Sequence, residues 1–411
     1  MLECSKERME DKITTFAQYG ATGNGGITRY ALSPEADQAR DEFARRMESI
    51  DAEIETDDLA NVYATLPGSD PNSKRIVMGS HVDSVKNGGN YDGILGVMAA
   101  MEVLETVADQ KIPHKHPLTA MIWTNEEGSL YPPAMMVSGI ICNKFDEERM
   151  MKSKSVLDGK MTFEEALKAN KYRGEKDNRL NHDKYAAMFE IHVEQGPILE
   201  KTGNDIGVVT CVAGMVNYRL RAFGQSDHAG TIPMQYRQDA LYAASKLIIH
   251  LHNELDKLDS TLVYTTGEIE CHPNVHTVIP DLIDFSLDSR HVDPEVIKQV
   301  VEVIKNIPEE VERCKTEYEL AWERDTVYFN KELVEFVKES AGELGYSNQY
   351  INSGAGHDAQ YVADMIPTTM IFAPSKDGHS HCEEEFSSIE ECTKTASVML
   401  NAVLKTDEKY D

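Results

Sequence analysis

Histidine and carboxylate side chains recur in two stretches that lie a short distance apart in the sequence. The first reads SHVDSVKNGGNYDG and contains His81, Asp83 and Asp92, and the second reads TNEEG and contains Glu126 and Glu127. Imidazole and carboxylate groups are ligands that zinc, manganese and cobalt take in proteins, and a carboxylate beside such a metal can act as a general base. These residue types therefore predict a metal centre that activates water.

Apolar runs that end at these residues predict the elements that position them. Residues 75–81 read as a buried strand that ends on His81, and residues 118–123 read as a second strand that precedes the paired glutamates. From Gly93 onward the apolar residues follow the spacing of one helix face. Ligands of open α/β sheets bind beyond the carboxyl ends of the strands, so we expect these side chains to meet there.

Two later strand ends add candidates of the same type. The run 185–192 reads as a strand that ends on His192, and a strand at 368–373 precedes the GHSH sequence that contains His381. A single histidine at a strand end is more often a hydrogen-bonded core or surface residue than a ligand, but repeated strand ends of this kind rarely arise by chance. The set fits two metal ions that share a bridging carboxylate, as in hydrolases that activate water and polarise a carbonyl.

Composition excludes several functional classes. The chain has 411 residues, more than one ordinary core accommodates, so two domains are predicted. Its formal net charge of −29 disfavours nucleic acid and anionic membranes as partners. The charged start MLECSKERMEDKI lacks the apolar segment of a secretory signal, and the 7 cysteines form no CxxC pair. We expect a cytoplasmic protein with reduced thiols and no membrane-spanning segment.

A change of pattern after residue 212 predicts an inserted domain. Residues 213–329 read as a β-α-β-β-α block with an antiparallel sheet, an α+β (ferredoxin-like) domain in which a helix is predicted at 294–311. Residues 1–212 and 330–411 together predict an α/β domain with a mixed sheet flanked by helices, which carries the metal residues. Within it, the charged stretch 143–184 reads as mostly helical.

Six motifs occur in order over roughly residues 76–386: SHVDS…NYDGILGV, TNEEGS, HVEQGPILE, DHAGTIPM, SGAGHDAQ and FAPSKDGHSHCEEE. Together they resemble the family of N-carbamoyl-L-amino acid hydrolases and allantoate amidohydrolases, within a wider superfamily of two-metal peptidases and aminoacylases. The resemblance implies a two-metal, exopeptidase-like catalytic domain. It also implies that the inserted domain serves as a lid and a dimerisation surface.

The resemblance implies a role for each residue of the metal centre. The ions would be zinc, or manganese, cobalt or nickel, two to each subunit. Their implied ligands are His81 and His192 on opposite ions, Asp92 as the bridge, and Glu127 and His381 as the remaining ligands. The implied supporting roles are Glu126 as the general base and Asp83 as the partner that orients His81.

Substrate contacts are also implied by the resemblance. Arg290 resembles the family's carboxylate-binding arginine, and His228 resembles the histidine that is supplied across a dimer to stabilise the oxyanion. Gln195 is similar to a substrate contact of the carbamoylase branch. Gly356 lies in a glycine-rich loop whose backbone N–H groups can approach the substrate closely.

Two observations leave the assignment of the substrate contacts undecided. From the residues alone, the favoured reading of Arg290 is a surface ion-pair partner of Asp288 or Asp293, and His228 is part of a polar turn. Thr277 stands where the family has a substrate-binding asparagine, and threonine lacks the paired donor and acceptor of an amide. Asn274 lies close enough in the sequence to replace that contact.

These assignments predict a homodimeric hydrolase that acts on a small ureido or N-acyl amino acid substrate. It would cleave the carbamoyl C–N bond of an N-carbamoyl-L-amino acid or allantoate, releasing ammonia and carbon dioxide. The first alternative is a metallopeptidase or N-acyl-L-amino acid hydrolase that uses the same metals. His192 and Gln195 disfavour this alternative, whereas Thr277 is compatible with it. The second is a catalytically silent binding protein, which the complete set of ligands and base disfavours.

Overall fold

The computed structural model describes residues 1–410, which divide into two compact units. The first unit comprises Met1–Thr210 and the chain from Tyr328 onward, and the second comprises Cys211–Val327. Each unit is built around a β-sheet of its own. Among the described residues, no helix combines the length and the apolar character needed to span a membrane.

The regular elements of residues 1–410 are numbered here in chain order. The α-helices are α1 (Lys6–Phe16), α2 (Pro34–Glu48), α3 (Ile94–Gln110), α4 (Met136–Ile141), α5 (Glu147–Met151), α6 (Phe163–Ala169), α7 (Ile198–Thr202), α8 (Ala240–Leu255), α9 (Pro294–Lys305), α10 (Lys331–Glu343), α11 (Asp358–Val362) and α12 (Ile389–Lys409). The strands are β1 (Glu53–Thr56), β2 (Val62–Leu66), β3 (Arg75–His81), β4 (Leu118–Trp123), β5 (Tyr185–Val193), β6 (Ile206–Val212), β7 (Gly214–Phe223), β8 (Val263–Thr265), β9 (Ile269–His272), β10 (Leu282–His291), β11 (Glu310–Val311), β12 (Cys314–Arg324), β13 (Val327–Tyr328), β14 (Asn348–Ser353) and β15 (Thr368–Ala373).

The sheet of the first unit is mixed, which confirms the predicted α/β class. Its described strands follow the order β1-β2-β4-β3-β5-β15-β6-β13, and β14 pairs with β6. The neighbours β4, β3, β5 and β15 run parallel, whereas β2 and β6 run antiparallel to the strands beside them. The carboxyl ends of four adjacent strands therefore lie along one edge of this sheet.

Burial explains why these central strands form. Every residue of β4 and of β15 is buried, as expected of strands that are covered on both faces. Helix α3 packs against β3, β4 and β5. At Gly96 a Cβ atom would lie only 2.3 Å from the carbonyl oxygen of Ile191, so glycine permits the close approach of α3 to β5. This packing fixes the position of α3, which follows the loop that contains Asp92.

The second unit has an antiparallel sheet in the order β11-β12-β7-β10-β8, with β9 also paired to β10. Helices α8 and α9 pack against β7 and β10 and bury the core between sheet and helices. Residues of β10 alternate between buried and partly exposed along the strand, the pattern of a sheet with one covered face.

Two sequence-based predictions of helix were wrong. The helix predicted at 294–311 ends at Lys305, because Asn306 caps it and Pro308 cannot continue its hydrogen bonds. The stretch 143–184 contains only the short α-helices α5 and α6 and one turn of 3-10 helix. This stretch lacks a continuous apolar stripe that would stabilise a long helix. Its α-helices are therefore short, and each begins directly after an N-cap residue, Asp146 or Thr162.

Candidate metal centre

The predicted ligands and base come together in the first unit, at the edge where its parallel strands end. Each is the last or next-to-last residue of a strand or belongs to the loop that follows one. In chain order they are His81 at the end of β3, Asp92 in the loop between β3 and α3, Glu126 and Glu127 in the turn after β4, His192 near the end of β5, and His381 in the loop after β15.

Asp92 lies at the centre of this group. Its Oδ1 is 3.2 Å from Nε2 of His192 and 3.5 Å from Nε2 of His81. Its Oδ2 is 3.2 Å from Nε2 of His381. Because the two oxygens face different histidines, the carboxylate has the arrangement that a ligand shared by two metal ions requires.

The two glutamates diverge in the turn after β4, where Asn125 adopts a φ of 58°. Oε2 of Glu126 is 3.6 Å from Nε2 of His81, and Oε2 of Glu127 is 3.7 Å from Nε2 of His381. The adjacent carboxylates therefore face different histidines and are free to take different roles.

Among the described residues, three groups of side chains are compact enough to hold a metal ion. In each group the candidate ligand atoms lie within 4.8 Å of one another. The groups are His81, Asp92 and His192; His81, Glu126 and Glu127; and Asp92, Glu127 and His381.

This geometry does not match the expectation that His81 and His192 bind opposite ions. Strands β3 and β5 are adjacent and parallel, so both histidines arrive on the same side of Asp92 and face its Oδ1. On the other side of Asp92, Glu127 and His381 form a compact group with it.

The residues present fit divalent metal ions. Within residues 1–410, the buried atoms that the hydrogen-bond network leaves without a partner include Nε2 of His81, Oε1 of Glu127 and Oε1 of Gln195 at this site. A buried polar atom without a partner costs free energy, which a bond to a metal ion would offset. Imidazole nitrogens and carboxylate oxygens are also the donors that zinc and manganese favour.

Backbone carbonyls orient two of the imidazoles. Nδ1 of His81 is 2.9 Å from the carbonyl oxygen of Asp83, and Nδ1 of His192 is 2.9 Å from that of Val193. An N–H donated at Nδ1 leaves the lone pair of Nε2 directed into the site. The carboxylate of Asp83 instead accepts backbone N–H groups of Glu126 (3.3 Å) and Glu127 (3.1 Å), so it shapes the turn that presents both glutamates.

Electrostatics at the site reflect an excess of buried carboxylates. Burial, followed by the nearby charges of Asp358 and Glu127, raises the pKa of Glu126 well above its usual range. Burial, with the charges of Asp92 and Asp83, does the same to the pKa of Glu127. Cations placed among these groups would relieve both effects.

At Asp92 and His192 the shifts are opposite, because each pKa moves in the direction that favours the charged form. Burial opposes ionisation of Asp92, but the charge of His192 and hydrogen bonds from His192 and His381 outweigh it and hold the Asp92 pKa well below its usual range. Burial disfavours protonated His192, yet the charge of Asp92 outweighs it and raises the pKa of His192 to about 9. Burial lowers the pKa of His81, which favours the neutral imidazole that a metal ion binds.

Gly93 lets α3 begin directly beside His81. Its φ is 65°, in the left-handed region that favours glycine, and a Cβ atom there would lie 2.2 Å from Nε2 of His81. The NYDG sequence thus places Asp92 immediately before a residue that needs to be glycine.

Sequence reasoning missed a pair of buried carboxylates beside the centre. Glu190 accepts hydrogen bonds from Oγ of Ser80 (2.6 Å) and from the backbone N–H of Ala359 (2.9 Å). Asp358 accepts one from Oγ of Ser138, and burial together with the charge of Glu190 raises its pKa well above the usual range. The available signal was the position of Glu190, which lies two residues before the candidate ligand His192 on the same strand and so shares its face.

Of the predicted substrate contacts, Gln195 and Gly356 lie in the first unit. Gln195 adopts a φ of 57°, and its Nε2 donates to Oδ2 of Asp92 at 2.8 Å. The same Nε2 is 3.4 Å from Nε2 of His381. Gln195 therefore lies directly on the candidate metal centre, whereas Gly356 lies in the loop between β14 and α11.

The remaining predicted contacts belong to the second unit. His228 forms an antiparallel β-bridge with Val278, and the N–H of Ala229 donates to the carbonyl oxygen of Thr277 at 2.9 Å. Asn274 has a φ of 55°. Nε of Arg290 in β10 is 2.8 Å from Oδ1 of Asp288, the ion pair that the residues alone suggested.

Known proteins resemble this chain over nearly its whole length. The model of Peptidase family M20/M25/M40 matches residues 77–405. An allantoate amidohydrolase of Bacillus subtilis is 35% identical and covers 93% of this chain and 93% of its own. An N-carbamoyl-L-amino-acid amidohydrolase of Rhizobium meliloti is 33% identical over 98% of this chain and 96% of its own. The crystal structure of an amidase of the hydantoinase/carbamoylase family from Burkholderia multivorans has a TM-score of 0.88, at 36% identity and 98% coverage of both chains.

Proposed function

The chain belongs to Peptidase family M20/M25/M40 and is a hydrolase, and from that premise we propose that it cleaves the carbamoyl (ureido) C–N bond of an N-carbamoyl-L-amino acid or of allantoate. Ammonia and carbon dioxide are the small products. One observation carries the proposal: histidines and carboxylates surround Asp92 in a chain whose full-length relatives are named for these ureido substrates.

Two divalent ions, zinc or else manganese, cobalt or nickel, would complete the centre. The first ion would be held by His81, His192 and Oδ1 of Asp92, and the second by Oδ2 of Asp92, Glu127 and His381. This division follows the groups of atoms that lie within 4.8 Å of one another. When bound, the ions supply Lewis acidity that polarises the substrate carbonyl and makes water a better nucleophile at neutral pH.

Glu126 is the proposed general base. It is 7% exposed and lies beside the histidine side of the centre. Its carboxylate takes a proton from the attacking water and delivers it to the leaving nitrogen, so that ammonia departs neutral. Asp83 fixes the turn that carries Glu126 and thereby aims this carboxylate.

Arg290 is the proposed anchor of the substrate carboxylate. Its guanidinium is oriented by Asp288, whose two oxygens lie 2.8 Å from Nε and 3.3 Å from a terminal nitrogen of Arg290. The planar, bidentate shape of a guanidinium matches a carboxylate better than a flexible lysine does, which suits Arg290 to this role.

Other contacts would complete substrate recognition. His228 would stabilise the oxyanion across a homodimer, and closure of the second unit as a lid would bring its residues to the substrate. Thr277 and Asn274 would replace the family's asparagine contact, and the backbone at Gly356 would approach the substrate. Gln195 would contact it beside the metal ions.

The experiment that tests this function is ammonia release by metal-loaded protein. The panel contains N-carbamoyl-L-amino acids, allantoate, 3-ureidopropionate, N-acetyl-L-amino acids and dipeptides, with released amino or ureido acid followed in parallel. We expect ammonia from at least one ureido compound, in equal amount with the acid product. The matched control is the same protein stripped by a chelator, which should be silent and recover when metal is returned.

Each other outcome supports one alternative. Turnover confined to acyl or peptide substrates would favour the metallopeptidase or N-acyl-L-amino acid hydrolase, and would mark Thr277 as a change of specificity. Two bound ions with no turnover on the whole panel would favour the binding protein.

A further inference from the structure

The loop that carries His381 lies outside the strands of the sheet. It runs from Lys376 to Phe386 and is closed by a hydrogen bond from the N–H of Lys376 to the carbonyl of Phe386 at 2.9 Å. The His381 side chain is 51% exposed, whereas that of His81, which ends a central strand, is 1% exposed. His381 also has a φ of 57°. Its position therefore depends on the contacts that hold this loop.

Glu385 is the buried side chain of that loop, with 4% of its surface exposed. Its Oε1 accepts the backbone N–H groups of Tyr91 at 3.0 Å and of Asp92 at 2.9 Å. Its Oε2 lies 2.8 Å from Oγ of Ser380, which is itself 3.0 Å from Oδ2 of Asp92. One carboxylate thus contacts both the backbone of the bridging aspartate and the residue before His381.

The loop that carries Asp92 is shaped around Glu385. At Gly89 a Cβ atom would lie 2.2 Å from Oε1 of Glu385 and 2.3 Å from its Cβ, so the two chains approach closely only because this residue is glycine. The ring of Phe386 packs edge-on against Tyr91, with 5.8 Å between ring centroids. The loops that bear Asp92 and His381 are therefore joined by the buried side chain of Glu385, by the hydroxyl of Ser380 and by the aromatic pair beside them.

We infer that Glu385 is a positioning residue. It fixes the position of Asp92 relative to His381 and thereby shapes the candidate metal site formed by Asp92, Glu127 and His381. This inference rests on the proposed metal centre. The histidines of the other position end the central strands β3 and β5, which make no contact with Glu385 in the hydrogen bonds described. Loss of Glu385 should therefore affect the two ions unequally.

A carboxylate is the group that this position requires. Ionised Glu385 accepts at both oxygens and satisfies two backbone N–H donors and one hydroxyl at once. Hydrogen bonds from backbone N–H groups to a carboxylate are stronger than those to a neutral acceptor. Glutamine has the same size but lacks the negative charge, and its amide nitrogen cannot accept the Ser380 hydroxyl, which would then donate to Oδ2 of Asp92 alone.

The test is metal binding by the full-length variants Glu385→Ala and Glu385→Gln. Chelator-treated protein is titrated with Co²⁺, and the visible spectrum reports the occupancy of each position without any substrate. We expect wild type to bind two ions tightly, and both variants to keep one while the affinity for the second falls about 10–100-fold, as is usual when a partner that orients a ligand is removed. Glu384→Gln, an exposed neighbour in the same loop, is the matched control and should bind both ions as wild type does.

A merely structural role predicts a different pattern. The variants would then melt at lower temperature while both ions kept their affinities, and that result would overturn the inference. Added metal should restore turnover of the variants toward the wild-type kcat, and a loss that metal does not restore would also contradict it.

Ser380→Ala provides a milder variant that removes the hydroxyl lying between Oε2 of Glu385 and Oδ2 of Asp92 and keeps both backbone N–H bonds to Oε1. It should weaken the same metal position to a smaller extent, and unchanged affinity in a folded Ser380→Ala would overturn the inference even if the Glu385 variants fail to fold. The proposed function fails separately, through a wild-type protein that binds two ions and hydrolyses no ureido compound.

Discussion

Glu126→Gln is expected to lower kcat by at least about 10²–10⁴-fold, the usual contribution of a general base, while both metal ions stay bound. Glutamine preserves the size of the side chain but cannot take a proton from water. Glu126 is buried and lies 3.6 Å from Nε2 of His81, so the substitution changes chemistry at the centre with little change of shape. The measurement is kcat from ammonia release, with metal content determined on the same sample.

The alternative role for Glu126 is that of a ligand, because it forms one compact group with His81 and Glu127. Loss of an ion in Glu126→Gln, in parallel with the loss of activity, would support that role and contradict the assignment as base. Glu126→Asp is the informative control, since a shorter carboxylate should retain part of the activity that the amide loses.

Asp92→Asn is expected to weaken binding of both ions and to leave no measurable turnover. Each oxygen of Asp92 faces a different histidine, and the amide would lose the negative charge and place a donor where one oxygen accepts. The affinity should fall by more than the roughly 10–100-fold that follows loss of an outer hydrogen-bond partner. Metal content after dialysis against a weak chelator is the measurement.

The control for this substitution is Asp377→Asn, an exposed carboxylate in the loop that carries His381. It removes the same charge without touching the centre and should leave both ions in place. Retention of two ions at wild-type affinity by Asp92→Asn would show that this carboxylate is not the shared ligand.

The parts of the fold that position the site could be predicted because they are buried and regular. The strands predicted at 75–81, 118–123 and 368–373 are confirmed as β3, β4 and β15. Central parallel strands require continuous apolar residues, and each run stops where the chain reaches the polar edge of the sheet. The histidines and glutamates follow those ends directly, which is why their meeting was foreseeable.

The residues that support the site could not be predicted in the same way. Glu385 contacts Asp92 across 293 positions of the chain, and Glu190 contacts Ala359 across 169. No local spacing records such contacts, because tertiary packing alone brings them about. Asp83 was named as the partner of His81, but its hydrogen bonds to the N–H groups of the turn after β4 were not foreseen; its Oδ1 lies 4.0 Å from Nδ1 of His81.

Anomalous diffraction from crystals of the zinc- or manganese-loaded protein, collected at the absorption edge of that metal, tests the central claim most directly. The structure leads us to expect two peaks per chain, separated by roughly 3.5–4 Å, with Asp92 between them. One peak should lie within bonding distance of His81 and His192, and the other within bonding distance of Glu127 and His381. A single peak, or peaks remote from Asp92, would contradict the two-metal centre and the catalytic roles derived from it.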